Sequence, residues 1–277
     1  MIFKIKKNYF NFFFLLSTIC VLIFGCNKEI YGCLDSNADN YYSDATHDDG
    51  SCEYSTLKIN FRHVVEDSEV VYGNSNFLYS NSMGTNYSIS RILYVLSDIT
   101  LYFENNVIVS LEDILFVNTG NEISLTHSIK NLPGLCLGVQ FRIGLSSSNN
   151  IDLLYMNTNS DFHNLMLWPN SYGQSSNSEG IIQPGGYHYM KIEGRYINDQ
   201  DAQSGYNLHT GPINSQDFSF LYPRFNFPPS AEIIITMNIN NWFDGPVHDL
   251  SSAIMYNLNA QNNLYENAQN VFSIDPE

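Results

Sequence analysis

The sequence predicts an all-β fold, namely an antiparallel β-sandwich with short C-terminal helices. Three observations support this prediction. From Leu57 onward, β-branched and aromatic residues recur in short runs, and such residues suit pleated, half-buried strands. Loops rich in Asn, Gly and Ser separate these runs at regular intervals, which is typical of sandwiches. Residues 55–277 are also long enough to form one large β domain.

The predicted strands follow one another along the chain. Residues 57–64 alternate between apolar and polar side chains, as in a strand with one buried face. Residues 92–103 form a longer run, and the Asn-rich turn after it predicts a hairpin with residues 107–111. We expect further strands at residues 139–145, 187–196, 218–225 and 233–239.

Two stretches depart from the strand pattern. Residues 146–160 mix Ser and Asn with a short apolar patch, which predicts a loop. Residues 251–270 have helical spacing, with Ile254, Leu258 and Gln261 near one face. We therefore expect short helices that cap the sandwich at its C-terminal end.

The N-terminus has the order of a secretory signal. Three Lys residues precede an apolar run at residues 10–24, which is too short to span a bilayer comfortably. The run ends at Gly25-Cys26, which resembles a bacterial lipobox. This resemblance implies that residues 1–25 are a signal peptide and that Cys26 becomes lipidated. We expect a lipoprotein anchored in the bacterial cell envelope, at the periplasmic or surface face of the outer membrane; the alternative is an ordinary secretory signal.

Charge and motifs exclude several classes of function. The chain has 12 Lys and Arg against 28 Asp and Glu, a formal net charge of −16. A polyanion repels nucleic acid, so no DNA or RNA partner is expected. The sequence also has no serine nucleophile elbow, phosphate-binding loop or zinc-protease helix. We therefore expect a protein that is not an enzyme.

Residues 26–54 form a separate acidic segment. Cys33 and Cys52 bracket most of it, and an oxidising compartment favours a disulfide between them. Such a disulfide would contribute about 3 kcal/mol to a segment with little apolar surface to bury. Cys136 has apolar neighbours and is expected to be a buried thiol.

The same segment is a candidate calcium module. It resembles, in style, the thrombospondin type 3 calcium repeats, through its paired Cys residues and its Asp-Asp-Gly-Ser-Cys end. Calcium requires six to eight oxygen ligands. The alternative is a solvated acidic spacer. The candidate ligands are Asp35, Asn37, Asp39, Asp48 and Asp49.

Residues 165–209 collect residue types that are scarce elsewhere. If residues 186–196 form a strand, His188 and Met190 share its apolar face. His209 lies just before a turn, and His163 precedes Trp168 by five residues. Imidazole nitrogen and thioether sulfur suit copper. The alternatives are a histidine satisfied in the core and a tryptophan that anchors packing.

Residues 55–277 resemble the MbnP-like family, which is named for a methanobactin-associated periplasmic protein and is similar to the copper-binding surface protein MopE. Two motifs are prominent, Gly-Tyr-His-Tyr-Met-Lys-Ile-Glu-Gly at 186–194 and His-Thr-Gly at 209–211. The other matching segments are residues 57–61 with His63, 87–99, 132–144, Trp168-Pro169, 238–243 and 270–272. Together they span nearly the whole domain in order.

The resemblance implies a β-sandwich that holds one copper ion through His residues beside a Trp. It also implies that this Trp can be oxidised to kynurenine, with a partner diheme enzyme of the MauG-like class. Carried over to this chain, His209 is the first ligand, and His188 and His163 compete for the second place. Met190 is a weaker additional ligand, and Trp168 is the modifiable aromatic residue.

Two other functions stay open. The many Tyr and Asn residues also suit a metal-independent module for adhesion, glycan or protein binding. Trp168 could instead make the protein a substrate of the diheme enzyme. Under each alternative, the predicted organisation is a signal peptide at 1–25, an acidic module at 26–54 and a sandwich domain at 55–277.

Overall fold

The computed structural model describes residues 28–73, 75, 77–168, 185–213, 216–252, 254–255 and 257–277. These residues form two compact units. One unit contains residues 28–36 and 40–53, and the other contains the rest. The predicted signal peptide and the predicted lipidation site Cys26 lie outside the described residues, so both stay predictions.

The small unit has one parallel strand pair, β1 (Tyr31–Gly32) with β2 (His47–Asp48). The predicted disulfide between Cys33 and Cys52 is confirmed. Asn40 also links the segment, because its Nδ2 donates to the Ser51 carbonyl at 2.6 Å. A covalent link and a few polar contacts thus order a segment with little apolar surface.

The larger unit contains fourteen strands and three short helices within the described residues. The strands are β3 (Ser55–Val65), β4 (Ser68–Glu69), β5 (Tyr79–Ser80), β6 (Asn86–Tyr102), β7 (Ile108–Ser110), β8 (Leu115–Asn118), β9 (Thr126–Leu132), β10 (Cys136–Ile143), β11 (Met190–Ile197), β12 (Gln203–Thr210), β13 (Phe220–Leu221), β14 (Phe225–Ser230), β15 (Glu232–Asn238) and β16 (Phe272–Pro276). The helices are α1 (Ser160–Met166), α2 (Asn241–Asp244) and α3 (Leu258–Ala268), with 3-10 turns at Glu104–Asn106 and Glu122–Leu125. None of the described helices has the length and apolar character needed to cross a membrane.

The larger sheet is built around β6, a strand of 17 residues. Its main order is β12-β11-β6-β10-β13, while β14 pairs with β10 and the short strands β5, β7 and β8 pair with β6. All of these pairs are antiparallel. The predicted hairpin after residue 103 is present, with Thr100 opposite Ser110.

The smaller sheet has the order β16-β15-β3-β4, and β9 pairs with β3. β3 and β15 run parallel, whereas the other pairs in this sheet are antiparallel. The parallel pair joins the first strand of the domain to one near its C-terminus. The prediction of an antiparallel sandwich is therefore confirmed, with one parallel pair added.

The two sheets pack face to face around one core. Phe61 of the smaller sheet meets Tyr94 of the larger sheet edge-on, with ring centroids 6.0 Å apart. Phe272 and Phe141 pack in the same way at 5.5 Å. The buried His63 ring joins the two sheets by a hydrogen bond between its Nε2 and the Tyr94 hydroxyl, at 3.2 Å.

The larger sheet is also covered on its outer face. Along β6, Ile92 and Tyr94 face the main core, whereas Leu93 and Val95 face a second apolar cluster, here called the outer cluster. Its buried members are Leu93, Val95, Phe116, Leu145, Phe162, Met166, Tyr187, Tyr189, Ile213 and Phe218. Because both faces are covered, β6 reads as a nearly continuous apolar run rather than an alternating one.

Several elements differ from the predictions. β11 begins at Met190, because Gly186 has a φ of +105° and the His188 N–H donates to the Met166 carbonyl instead of the ladder. α1 was not predicted, and it begins at Ser160, where the predicted loop at 146–160 ends. The predicted C-terminal helix is present, but it buries Gln261 and Leu264 while Leu258 is exposed.

Candidate metal centre

Three rings meet on the outer face of the larger sheet. The ring centroids of Trp168 and His188 lie 4.5 Å apart, and those of His188 and His209 lie 5.0 Å apart. Trp168 and His188 are buried, and the His209 side chain is 12% exposed. The structure thus brings two predicted ligands and the predicted aromatic residue into one cluster.

The strand register places His209 on the outer face. His209 of β12 lies opposite Lys191 of β11, and Lys191 lies opposite Leu93 of β6. Residues directly opposite each other in antiparallel strands project to the same side of the sheet. Since Leu93 belongs to the outer cluster, His209 and Lys191 share that face.

The backbone after α1 brings Trp168 and His188 together. The His188 N–H donates to the Met166 carbonyl at 2.7 Å, and the Trp168 N–H donates to the Gly186 carbonyl at 2.8 Å. The Lys191 ammonium donates to the Leu165 carbonyl at 2.6 Å, which fixes the last turn of α1 on β11. Two segments that are distant in sequence therefore run side by side at the cluster.

Gly211 leaves room for the Trp168 ring. A Cβ atom at this glycine would lie 2.2 to 2.7 Å from three carbons of that ring, well inside van der Waals contact. The ring therefore packs directly on the backbone that follows β12. The glycine of the His-Thr-Gly motif is a steric requirement of the cluster.

A carboxylate holds one edge of the His209 ring. His209 Nε2 lies 3.0 Å from Glu193 Oε1, while Glu193 Oε2 accepts hydrogen bonds from Arg91 Nε at 3.1 Å and Nη2 at 2.7 Å. The hydrogen bond with His209, followed by those with Arg91, lowers the pKa of Glu193 to about 2. Glu193 is therefore ionised at neutral pH and can only accept hydrogen bonds.

The other ring nitrogens are available for a ligand. His188 Nδ1 and His209 Nδ1 are buried, and neither has a hydrogen-bond partner within the described residues. Burial, with a further contribution from the charge of Lys191, holds the pKa of His188 well below its usual range. A neutral buried imidazole with an unsatisfied nitrogen is a natural metal ligand. The pair fits copper, which imidazole suits.

Gln261 of α3 fixes the backbone next to His209. Its Nε2 donates to the His209 carbonyl at 2.8 Å, and its Oε1 accepts from the Gly211 N–H at 3.4 Å. One buried side chain thus satisfies both backbone groups where β12 ends. The C-terminal helix thereby positions the strand end that carries His209.

The structure places the two remaining candidate ligands elsewhere. His163 Nδ1 lies 2.9 Å from the Tyr187 hydroxyl, at the outer cluster. Met190 lies opposite Thr210 and belongs to the main core. The interpretation that His188 and Met190 share one strand face is therefore wrong, because β11 begins only at Met190. No three His, Cys, Asp or Glu side chains are grouped as a metal site in the part of the chain that the structure describes.

Sequence reasoning missed Glu193, Arg91 and Gln261 as members of this site. The signal for Glu193 was the Asn-Asp-Gln-Asp turn at residues 198–201, which predicts a hairpin between β11 and β12. Two-residue periodicity in that hairpin would have put Glu193 on the face of His209. Arg91 and Gln261 come from distant segments, and no local pattern indicates them.

The candidate calcium ligands are divided between the two units. Asp35, Asp48 and Asp49 belong to the small unit, whereas Asn37 and Asp39 belong to the larger one. Asp48 accepts from the Gly50 N–H at 3.1 Å, and Asp49 accepts from the Ser51 N–H at 3.0 Å. Hydrogen bonding to Ser51 lowers the pKa of Asp49. These carboxylates stabilise a turn, and calcium binding stays a prediction.

The fold and the cluster define an all-β sandwich with a buried imidazole pair beside a tryptophan. The family model of MbnP matches residues 54–264, so the chain belongs to the MbnP family, as its sequence motifs predict. MbnP from Methylosinus trichosporium is similar in structure, with a TM-score of 0.57 at 11% sequence identity, over 81% of this chain and 99% of that one. This similarity shows the fold. No curated protein matches the chain.

Proposed function

We propose that this protein binds one copper ion through His188 and His209, beside Trp168. The observation that carries the proposal is the pair of buried Nδ1 atoms without a partner in the described residues. A buried polar atom without a hydrogen bond destabilises the fold by about 1–3 kcal/mol, and a metal ion would offset that cost at both rings. Copper bound here would supply a redox-active ion in a site largely screened from water.

The proposed role is binding rather than catalysis. The cluster contains no general acid and nucleophile in mutual contact, and the His209 side chain alone keeps some exposure to solvent. Such a site suits acquisition, storage or sensing of copper. We propose that these roles operate at the cell envelope, where the predicted lipid on Cys26 would anchor the protein to the membrane.

Copper titration of the purified protein tests the proposal. We expect one tight copper equivalent in the wild type and its loss in His188→Ala/His209→Ala. His163→Phe is the matched control, because His163 is also a buried histidine but lies in α1 and contacts Tyr187 instead of the pair. Retention of copper by the double mutant, or absence of copper from the wild type, would favour the metal-independent adhesion or glycan-binding function.

A second candidate function is that of a substrate for a diheme MauG-like enzyme. The contact between the Trp168 and His188 rings favours it, because oxidation would then act beside the proposed copper ligands. Trp168 is fully buried, so electrons would have to leave its ring through the protein. Peptide mass spectrometry of protein from native cells tests this function, and an unmodified Trp168 in cells that express the enzyme would contradict it.

A further inference from the structure

We propose that Glu193 and Arg91 are positioning residues that hold His209 in the tautomer with hydrogen on Nε2, which keeps Nδ1 free as a lone-pair donor. The expected effect of these two residues on copper affinity rests on the proposed copper function. The tautomer itself is a property of the metal-free protein and can be measured without copper.

Hydrogen-bond chemistry fixes which nitrogen carries the hydrogen. An ionised carboxylate has no hydrogen to donate, so the 3.0 Å contact between Glu193 Oε1 and His209 Nε2 requires a hydrogen on that nitrogen. In a neutral imidazole, the other nitrogen then carries the lone pair. Nδ1 is also the His209 nitrogen that has no partner within the described residues.

Arg91 fixes the carboxylate in turn. Its Nε and Nη2 both donate to Oε2, which leaves Oε1 for His209. Both Glu193 oxygens are therefore occupied, and Glu193 supports the site instead of entering it as a ligand. A ligating histidine whose other nitrogen donates to a carboxylate is the arrangement that orients metal ligands in proteins.

The three side chains come from three neighbouring strands. Arg91 lies opposite Glu193 in the pairing of β6 with β11, and His209 lies on β12, next to β11. His209 is displaced diagonally from Glu193, because it lies opposite Lys191, which is two residues before Glu193 and on the same face of β11. Side chains held on a sheet keep their relative positions better than side chains on loops.

Isosteric replacement of the carboxylate gives a sharp test. In Glu193→Gln, the oxygen of the new amide should turn to Arg91, because arginine can only donate. The amide NH2 then faces His209 Nε2 and requires a lone pair there. We expect this substitution to move the hydrogen to Nδ1, although it preserves the shape of the side chain. A purely structural role for Glu193 predicts no such change.

Long-range 1H–15N NMR of the histidine rings in the metal-free protein measures the tautomer directly. We expect Nε2–H in the wild type, Nδ1–H in Glu193→Gln and a mixture in Glu193→Ala. Asp98→Asn is the matched control, since Asp98 accepts from Arg142 at 2.7 Å in the same sheet without touching a histidine. Nδ1–H in the wild type, or an unchanged tautomer in Glu193→Gln, would overturn the proposal.

Copper affinity separates this inference from the proposed function. Loss of such a supporting contact typically weakens metal binding about 10- to 100-fold, and we expect this loss in Glu193→Gln but not in Asp98→Asn. If the wild type shows the expected tautomer but binds no copper, the positioning role stands and the copper function fails. If it binds copper and Glu193→Gln changes neither affinity nor tautomer, the positioning role fails alone.

Discussion

At the scale of single residues, the site depends on the absence of a side chain at Gly211. Gly211 has no Cβ, and carbons of the Trp168 ring occupy the space where one would lie. The ring in turn packs on His188, so a change at Gly211 is transmitted to the imidazole pair. Gly211 is therefore required because a larger residue would collide with the Trp168 ring, and not because the backbone needs a conformation that only glycine adopts.

We predict that Gly211→Ala destabilises the fold by about 1–3 kcal/mol, the usual cost of forcing an extra carbon into a packed interior. Displacement of Trp168 should also change the near-ultraviolet circular dichroism. Urea unfolding measures the free energy. Gly205→Ala, in the strand that precedes Gly211, is the control, because its Cβ would meet only the Gly194 carbonyl, at 3.9 Å. Equal effects of the two substitutions would contradict the steric argument.

Burial of His63 makes stability depend on pH. Burial lowers the pKa of His63 to about 4, below the usual value of 6.5. As the pH falls below 6.5, His63 binds a proton in the unfolded chain but stays neutral in the folded state. The free energy of unfolding therefore decreases between pH 6.5 and 4. At pH 5, this one group should reduce the free energy of unfolding by about 2 kcal/mol.

Urea unfolding at pH 7 and pH 5 measures that loss. We expect His63→Leu to lose less stability between the two pH values than the wild type does, although His188 and His248 are also buried histidines with lowered pKa values. His127→Leu serves as a comparison at a less buried histidine. The same difference between pH 7 and pH 5 in wild type and His63→Leu would show that His63 does not titrate as described.

The candidate site was predictable from single residues only in part. His188, His209 and Trp168 stood out because their residue types are scarce and concentrated in one stretch. Met190 was misplaced because the strand was taken to include residues 186–189, whereas the backbone bends at Gly186. Glu193 could not be identified as a site residue, because its contact with His209 depends on the pairing of β11 with β12.

At the scale of secondary-structure elements, α3 and β12 act together. The Gln261 side chain links them by hydrogen bonds to the backbone on both sides of Thr210. A buried carbonyl and a buried N–H at the end of a strand otherwise have no ladder partner. The C-terminal helix thus supports the site without contributing a ligand.

We predict that Gln261→Leu lowers the free energy of unfolding by about 1–3 kcal/mol, because it leaves buried backbone groups unpaired. The amide N–H of Gly211 should also lose protection from hydrogen exchange. Asn259→Ala, at an exposed position of the same helix, should change neither quantity. Retained protection at Gly211 in Gln261→Leu would contradict the proposed link.

Elements with strong local patterns were predicted, and the others were not. β3 and β6 follow clear apolar runs, and both strands are present with extended ends. β12 has few apolar residues and gains its place by pairing with β11. α1 was not predicted, since its seven residues become helical through packing of Phe162 and Met166 on the outer cluster.

At the scale of the whole molecule, each of the two units holds together differently. The small unit relies on its disulfide and polar contacts, and the sandwich relies on its two apolar cores. We predict that Cys33→Ser/Cys52→Ser destabilises the small unit by about 3 kcal/mol, with little effect on the sandwich. Hydrogen exchange at the amides of Tyr42 and Thr46, which bond to Cys33 and Ile30, reports the first effect.

Cys136→Ser is the comparison for that prediction. Cys136 is a buried free thiol in the sandwich, so its replacement should lower sandwich stability and leave exchange at Tyr42 unchanged. Cooperative loss of both units in the Cys33→Ser/Cys52→Ser variant would show that the units are not independent.

The overall class of fold was predictable because the residue composition and the spacing of the strands are visible along the whole sequence. The all-β sandwich follows from recurrent β-branched and aromatic runs, each of which has a strand counterpart. The parallel pairing of β3 with β15 did not follow, since it joins Lys58 to Glu232 across 174 residues of sequence. No local pattern specifies which distant strand will be a neighbour.

That parallel pair has a consequence for the order of folding. The smaller sheet cannot close until β15 is available, so most of the domain must leave the ribosome, or emerge from a translocation channel, before its first strand acquires this neighbour. Until then, β3 presents an open apolar edge, which is prone to pair with other chains. Closing so long a loop is also slow. We therefore expect the smaller sheet to form only after most of the domain has been synthesised, and the open edge of β3 to need protection from aggregation until then.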